Sequence, residues 1–223
     1  ARFRRPRVLI VGCGDVGLRA ASGLLSSARV YALTSTPARV PVLQRRGIVP
    51  LLGNLDEAAS LRRLAGVATH VVHMAPPPLQ GNTDPRTRAL IQALVLRSPP
   101  TAWVYGSTSG VYGDCGGAWI DETRRLNPVT ERAQRRVDAE RWLQAFGKRA
   151  GTRVSVLRIP GIYALDREGG TPKERLQSGT PVLQAADDVY TNHVHADDLA
   201  RATVLSVWRG RALRVVHVSD DSD

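Results

Sequence analysis

The chain has 223 residues, 43% of them hydrophobic, and its 31 basic and 20 acidic side chains give a formal net charge of +11. This length and apolar content suit one domain or one and a half, and the even mix of apolar runs, glycines and charges excludes disorder and a coiled coil. No apolar stretch approaches the roughly 20 residues that span a bilayer, and the basic start at Ala1–Arg7 is followed by too short an apolar run for a signal peptide.

Cys13 and Cys115 lie far apart with no C-x-x-C or Cys/His spacing. Neither a disulfide framework nor a zinc site is indicated, and the pattern points to a reducing cytoplasm. The basic excess is almost entirely arginine, with lysine only at 148 and 173. A basic domain attracts phosphate backbones. Here the arginines are spread over the whole chain, without a recognition-helix motif or an aromatic–basic platform, so a nucleic-acid partner is disfavoured.

In chain order, Arg7–Val11, Val30–Leu33, Ile48–Leu52, His70–Met74, Ala102–Tyr105, Arg153–Leu157 and Leu213–Val218 read as strands. All but the last run into a Gly, Pro or Ser turn and then helix-like sequence. Continuous apolar strands alternating with helices predict a doubly wound α/β domain: a mostly parallel sheet covered by helices on both faces, the Rossmann arrangement. Ligands in such sheets sit at the carboxyl ends of the strands, so the long irregular stretches Ser107–Val129 and Gly161–Thr191 are where function is expected.

The first strand runs into Gly12-Cys13-Gly14-Asp15-Val16-Gly17, a G-x-G-x-x-G followed by helix-like LRAASGLLSS. Gly12 permits the tight turn, Gly14 lets backbone approach a pyrophosphate, and Gly17 lets the helix pack closely on the strand. The helix N-terminus then offers free N–H groups to phosphates. In this strand–turn–helix context the motif predicts dinucleotide binding. NAD enzymes place a carboxylate after the second strand to grip the ribose 2′-OH. Here the sequence is Thr34-Ser35-Thr36-Pro37-Ala38-Arg39. Thr34, Ser35 and Arg39 suit a 2′-phosphate, which favours NADP over NAD; a solvated Arg39 early in the next helix is the competing reading. Asn54 and Leu55, after the third strand, are candidates for the adenine edge. Met74 and Ala75 end the fourth strand against the expected pyrophosphate and ribose, and His73 beside them reads as a satisfied core histidine.

Taken in order, GCGDVG, the strand end HMAPP, Gly106-Ser107-Thr108-Ser109-Gly110-Val111-Tyr112-Gly113, Leu157-Arg158-Ile159-Pro160-Gly161-Ile162-Tyr163 and His193-Val194-His195-Ala196-Asp197-Asp198-Leu199-Ala200 resemble the extended and atypical short-chain dehydrogenase/reductases, the NAD-dependent epimerase/dehydratase family. The resemblance covers nearly the whole chain. It implies a nicotinamide cofactor and a hydroxyl- or keto-bearing small molecule, such as a nucleotide sugar, as substrate; it is compatible with a homodimer. By register with the family's S-S-x-x-V-Y-G, Thr108 falls on the Ser/Thr position that orients the substrate oxygen, with Ser107 beside it and Tyr112 as a further catalytic candidate. A strand-end turn cap is the plainer role for these hydroxyls.

The family's Tyr-x-x-x-Lys pair is missing. The five tyrosines, at 31, 105, 112, 163 and 190, have Ser35, Ser109, Gly116, Arg167 and Val194 four positions on. Anchoring the expected helix on Glu140 puts Arg132 and Arg136 where the tyrosine and lysine belong. All three share one helix face. Arg136 can hold a ribose or phosphate as a cation, but Arg132 cannot act as an acid because guanidinium stays protonated. The alternative is a solvated face with Glu140 as an i, i+4 partner. A proton would then come from Tyr112, Tyr163, His193 or His195, all in segments expected near the cleft. Residues 1–223 are read as one NAD(P)-binding domain, with 161–191 as the remnant of a small or truncated C-terminal substrate lobe. Without the Tyr/Lys pair, a non-catalytic NADP-binding sensor is the alternative to an enzyme.

Overall fold

A computed structural model of the chain describes residues 5–167, 169, 171–179, 181, 184 and 191–220. Seven strands form one parallel sheet: β1 (Arg7–Val11), β2 (Arg29–Thr34), β3 (Val49–Leu52), β4 (His70–His73), β5 (Ala102–Thr108), β6 (Arg153–Ile159) and β9 (Arg214–His217). Their order is β3-β2-β1-β4-β5-β6-β9. The chain therefore winds outward from β1 in one direction, returns to β4, and winds outward in the other. That reversal between β1 and β4 is the topological switch point, the place where open α/β sheets leave a crevice.

Alternation along the strands divides the core into two layers. Leu9 and Val11 of β1, with Val71, Trp103, Tyr105, Val154 and Val156, face α3 (Ala58–Leu61), α4 (Pro85–Leu94) and α5 (Glu131–Ala150). Val8 and Ile10, with Val30, Ala32, Val72, Val104 and Leu157, face α1 (Asp15–Leu24), α2 (Val40–Arg45) and α7 (Ala196–Arg209). Both faces of the sheet are thus covered, which is why its strands are apolar at consecutive positions.

The helices start where local chemistry dictates. Asp84 caps α4 by accepting from the Thr87 N–H, and Thr130 caps α5 by accepting from the Ala133 N–H. His195 caps α7 through the Asp197 N–H. Each cap satisfies a backbone donor that the first helical turn cannot. α5 ends at Gly151 in the left-handed conformation.

Two further strands, β7 (Gly161–Tyr163) and β8 (His193–His195), pair in parallel as a small separate sheet, and α6 (Pro172–Gln177) lies between them in sequence. The expected remnant lobe at 161–191 includes these elements in part, and its residues 185–190, Tyr190 among them, lie outside the described residues. Among the described residues no helix is long and apolar enough to cross a membrane.

Candidate functional site

Two cavities of about 480 and 380 Å³ open at the carboxyl ends of the strands, and Gly12, Gly14 and Met74 line both. They form one crevice across the switch point. Gly12 has φ +86°, and a Cβ there would lie 2.2 Å from the Ala75 amide nitrogen, so the turn and the approach to β4 both require glycine. A Cβ on Gly17 would lie 2.6 Å from the Gly12 carbonyl oxygen, the close helix-on-strand contact expected of the third glycine. Over Gly14 the space is open: a Cβ there would meet nothing within 4 Å.

The smaller cavity holds the sequence candidates of the second and third strand ends. Cys13, Thr34, Ser35 and Arg39 line it, as do Asn54, Leu55 and Ala75. Its described lining contains Arg39 and Arg86 and no carboxylate. Arg39 is not freely solvated, because its guanidinium donates to the Cys13 carbonyl at 2.6 Å. Arg86 is held by both oxygens of Asp56, at 2.7 and 2.6 Å. The Asn54 side chain stabilises its own turn, donating to Glu57 and accepting from the Asp56 N–H. Burial pushes the Cys13 thiol up to about 11, against the pull of nearby Arg39 and Arg46, so it is an inert wall.

The larger cavity collects Asp15, Val16, Gly17, Ser107 and Thr108 with Arg132 and Arg136. Its floor is where β5 passes under Met74: a Cβ on Gly106 would lie 2.5 Å from the Met74 sulfur. The two hydroxyls differ in what they have left to offer. Ser107 donates its proton to Glu140. Thr108 accepts from the Gly110 N–H at 3.2 Å, which leaves its own proton free.

Tyr112 lines neither cavity. It is buried, its hydroxyl takes a hydrogen bond from Arg158 at 2.6 Å and shares another with His217, and burial raises its pKa. Tyr163, His193 and His195 also lie outside both linings. Tyr163 donates to Asp220 at 2.7 Å, its ring meets that of His195 edge-on, and His195 serves as the α7 cap. Where they sit, these groups contact late elements and do not line the crevice.

The reading of the α5 arginines as a solvated face paired with Glu140 fails at Arg136, whereas Arg132 is exposed. Arg136 is buried, and its guanidinium donates to Gly106 O at 2.8 Å, Tyr105 Oη at 3.1 Å and Ala75 O at 3.4 Å. Glu140, 2% exposed, is claimed instead by Arg158 across the layer, at 2.8 and 3.3 Å. His73 also departs from expectation: it is buried in the core, yet its Nδ1 has no partner among the described residues. Burial, with Arg136 beside it, pushes His73 down to about 3, so the ring is neutral.

On the far wall Asp15 bonds Arg19 at 2.8 Å and Arg167 at 2.6 Å. Burial alone would raise Asp15, but these two arginines outweigh it and hold the carboxyl below its usual range. Arg19 also binds Asp166 and Asp197, both at 2.6 Å. Sequence reasoning assigned no role to Arg167, Asp166 or Arg158. Arg158 had a signal, its place in LRIPGIY, whereas the other two sit in an irregular stretch without one. No cluster able to hold a metal ion occurs among the described residues.

No protein-family profile and no curated protein matches the sequence. Solved structures do match. A functionally unknown conserved protein from Silicibacter pomeroyi is 25% identical, covering 97% of this chain and 73% of its own, with a TM-score of 0.74. The dTDP-glucose 4,6-dehydratase of Streptomyces venezuelae, a double mutant solved with NAD, is 23% identical over 95% of this chain and 75% of its own, at TM-score 0.78. The UDP-glucose 4-epimerase of Thermus thermophilus, solved with NAD, is 21% identical over 97% and 78%, at TM-score 0.76. The Rossmann architecture of this chain is thus the one that NAD-dependent epimerases and dehydratases share.

Proposed function

We propose that the protein is an NAD(P)-binding oxidoreductase of the epimerase/dehydratase type, acting on a hydroxyl or keto group of a small molecule. The observation that carries this reading is the Gly12–Gly17 junction: an open crevice over Gly14, at a helix N-terminus, on the switch point of the sheet. The residues fit a dinucleotide. The three glycines and the α1 N-terminus would take the pyrophosphate. Asn54 and Leu55 would lie at the adenine, Met74 and Ala75 at the riboses, and Arg136 where the nicotinamide ribose meets the substrate. An arginine-containing, carboxylate-free lining around Thr34, Ser35 and Arg39 favours the 2′-phosphate of NADP. The neighbours with NAD support the cofactor class, and their nucleotide sugars are one candidate substrate class. Two free cysteines fit the reducing cytoplasm in which we place the protein.

A bound nicotinamide supplies or accepts hydride. The chain's own contribution would be orientation: Thr108, with its proton uncommitted, donates to the substrate oxygen, while Ser107 is held away by Glu140. A non-catalytic NADP sensor is the competing reading, favoured by the missing Tyr-x-x-x-Lys and the inward-turned Tyr112.

Calorimetric titration with NADPH and NADH tests the shared premise; binding of neither overturns both readings. Arg39→Ala is expected to weaken NADPH on the order of tenfold and leave NADH unchanged, as loss of one charged hydrogen bond implies. Turnover across a carbonyl panel that disappears in Thr108→Val, with cofactor affinity retained, separates the enzyme from the sensor.

A further inference from the structure

We propose that Arg132 and Arg136 form the seat for an oxyanion carried by the substrate, a carboxylate or a phosphate, beside the Thr108 hydroxyl. The proposal rests on the oxidoreductase reading for its substrate but not for its geometry. Both arginines line the larger cavity, four residues apart on α5 and therefore neighbours on one face. Arg132 is exposed to the crevice and has no hydrogen bond or ion pair among the described residues. Arg136 is 7% exposed, and among the described residues every acceptor it has is a neutral oxygen and its Nε has no partner.

A buried guanidinium without a counterion is costly, and chains that retain one normally supply a carboxylate. Asp84 feels the charge of Arg136, yet it is not within ion-pair distance, and burial raises its own carboxyl toward the neutral form. The cavity's other carboxylates are spoken for. Asp15 belongs to Arg19 and Arg167, and Asp166 belongs to Arg19. Each of these carboxylates is thereby engaged by an arginine in place, and neither is paired with α5. What remains uncompensated is the pair on α5. Guanidinium groups present planar forks that match carboxylate and phosphate oxygens two at a time. With Thr108 in the same cavity, the ligand is an anion whose hydroxyl or keto carbon lies close to its charged group, rather than one recognised through neutral hydroxyls alone.

The test is calorimetric titration of malonate and of inorganic phosphate into the wild type, Arg132→Gln and Arg132→Lys, each with and without saturating NADPH. The expected result is that at least one anion binds the wild type, that Arg132→Gln weakens it on the order of tenfold or more, and that Arg132→Lys recovers part of the loss. Malonate alone would identify the carboxylate as the source, and phosphate alone the phosphate. Circular dichroism melting should be unchanged, since Arg132 is exposed in the first turn of α5. No anion bound by the wild type, or equal affinity in Arg132→Gln, overturns the seat. Anion binding that depends on Arg132 while NADPH fails to bind would overturn the cofactor reading and leave the seat standing.

Discussion

Glu140→Gln isolates the charge of one buried group. Glu140 is 2% exposed and its partner Arg158 is 5% exposed, with Nη2 to Oε2 at 2.8 Å. Glutamine keeps the shape and still offers an oxygen to Ser107, so the substitution removes the negative charge and little else. Arg158 then remains buried beside Tyr112 with no counterion. Breaking a buried pair from one side costs about 3–5 kcal/mol. At about 2–4 °C per kcal/mol for a chain of this size, the melting temperature should fall by roughly 6–20 °C.

Urea unfolding followed by circular dichroism measures the loss. The double variant Glu140→Gln/Arg158→Met removes the stranded charge and should recover a large share of it, because an apolar replacement of both partners is often near neutral. Glu131→Gln is the control: Glu131 pairs with Arg135 at 3.4 Å but is mostly exposed, so its removal should cost below about 1 kcal/mol. The reasoning is refuted if Glu140→Gln costs no more than that control, or if the double variant is no better than the sum of its singles.

Two other consequences concern the crevice. His73 is held neutral, its pKa pushed down to about 3 by burial and then by Arg136. Between its ordinary value near 6.5 and about 3 the unfolded chain binds a proton that the folded chain refuses, so stability present above pH 6.5 falls as pH falls, by up to about 1.4 kcal/mol per pH unit. His73→Leu should flatten that slope in a urea-midpoint series; an unchanged slope would show that the ring is not the source. Gly12→Ala forces a Cβ to 2.2 Å from the Ala75 nitrogen at φ +86° and should lower the melting temperature sharply. Gly14→Ala meets no atom of the chain, so it should melt like the wild type yet lose NADPH affinity; full affinity in Gly14→Ala would remove the pyrophosphate from that turn.

The seven sheet strands were legible because parallel strands buried on both faces read as unbroken apolar runs. The errors fall where tertiary contacts, rather than periodicity, hold the strand. β5 continues through Gly106-Ser107-Thr108 and β6 through Arg158-Ile159, where a glycine and polar side chains break the apolar run. They stay in the sheet because Met74 sits on Gly106, Glu140 takes Ser107 and Arg158, and the two strands remain in register to Thr108–Ile159. β7 and β8 have three residues each, built around Gly161, His193 and His195, too short and too polar for any alternation to register.

The site was half legible for a related reason. Glycines announce a phosphate turn through backbone geometry, which is local, and the missing Tyr-x-x-x-Lys can be checked by inspection. What occupies the vacated positions depends on which cation wins Glu140, and that contest is not local. Helical spacing offers Arg136, four residues away; the sheet offers Arg158, eighteen residues on, with two donors aimed at the same carboxylate. Two charge-assisted bonds to one carboxylate outweigh a single helix pair. Arg158 therefore takes the carboxylate, and Arg136 is left with backbone and phenol oxygens at the bottom of the crevice. The same competition that hid the ion pair from the sequence leaves an unneutralised cation where a ligand would enter.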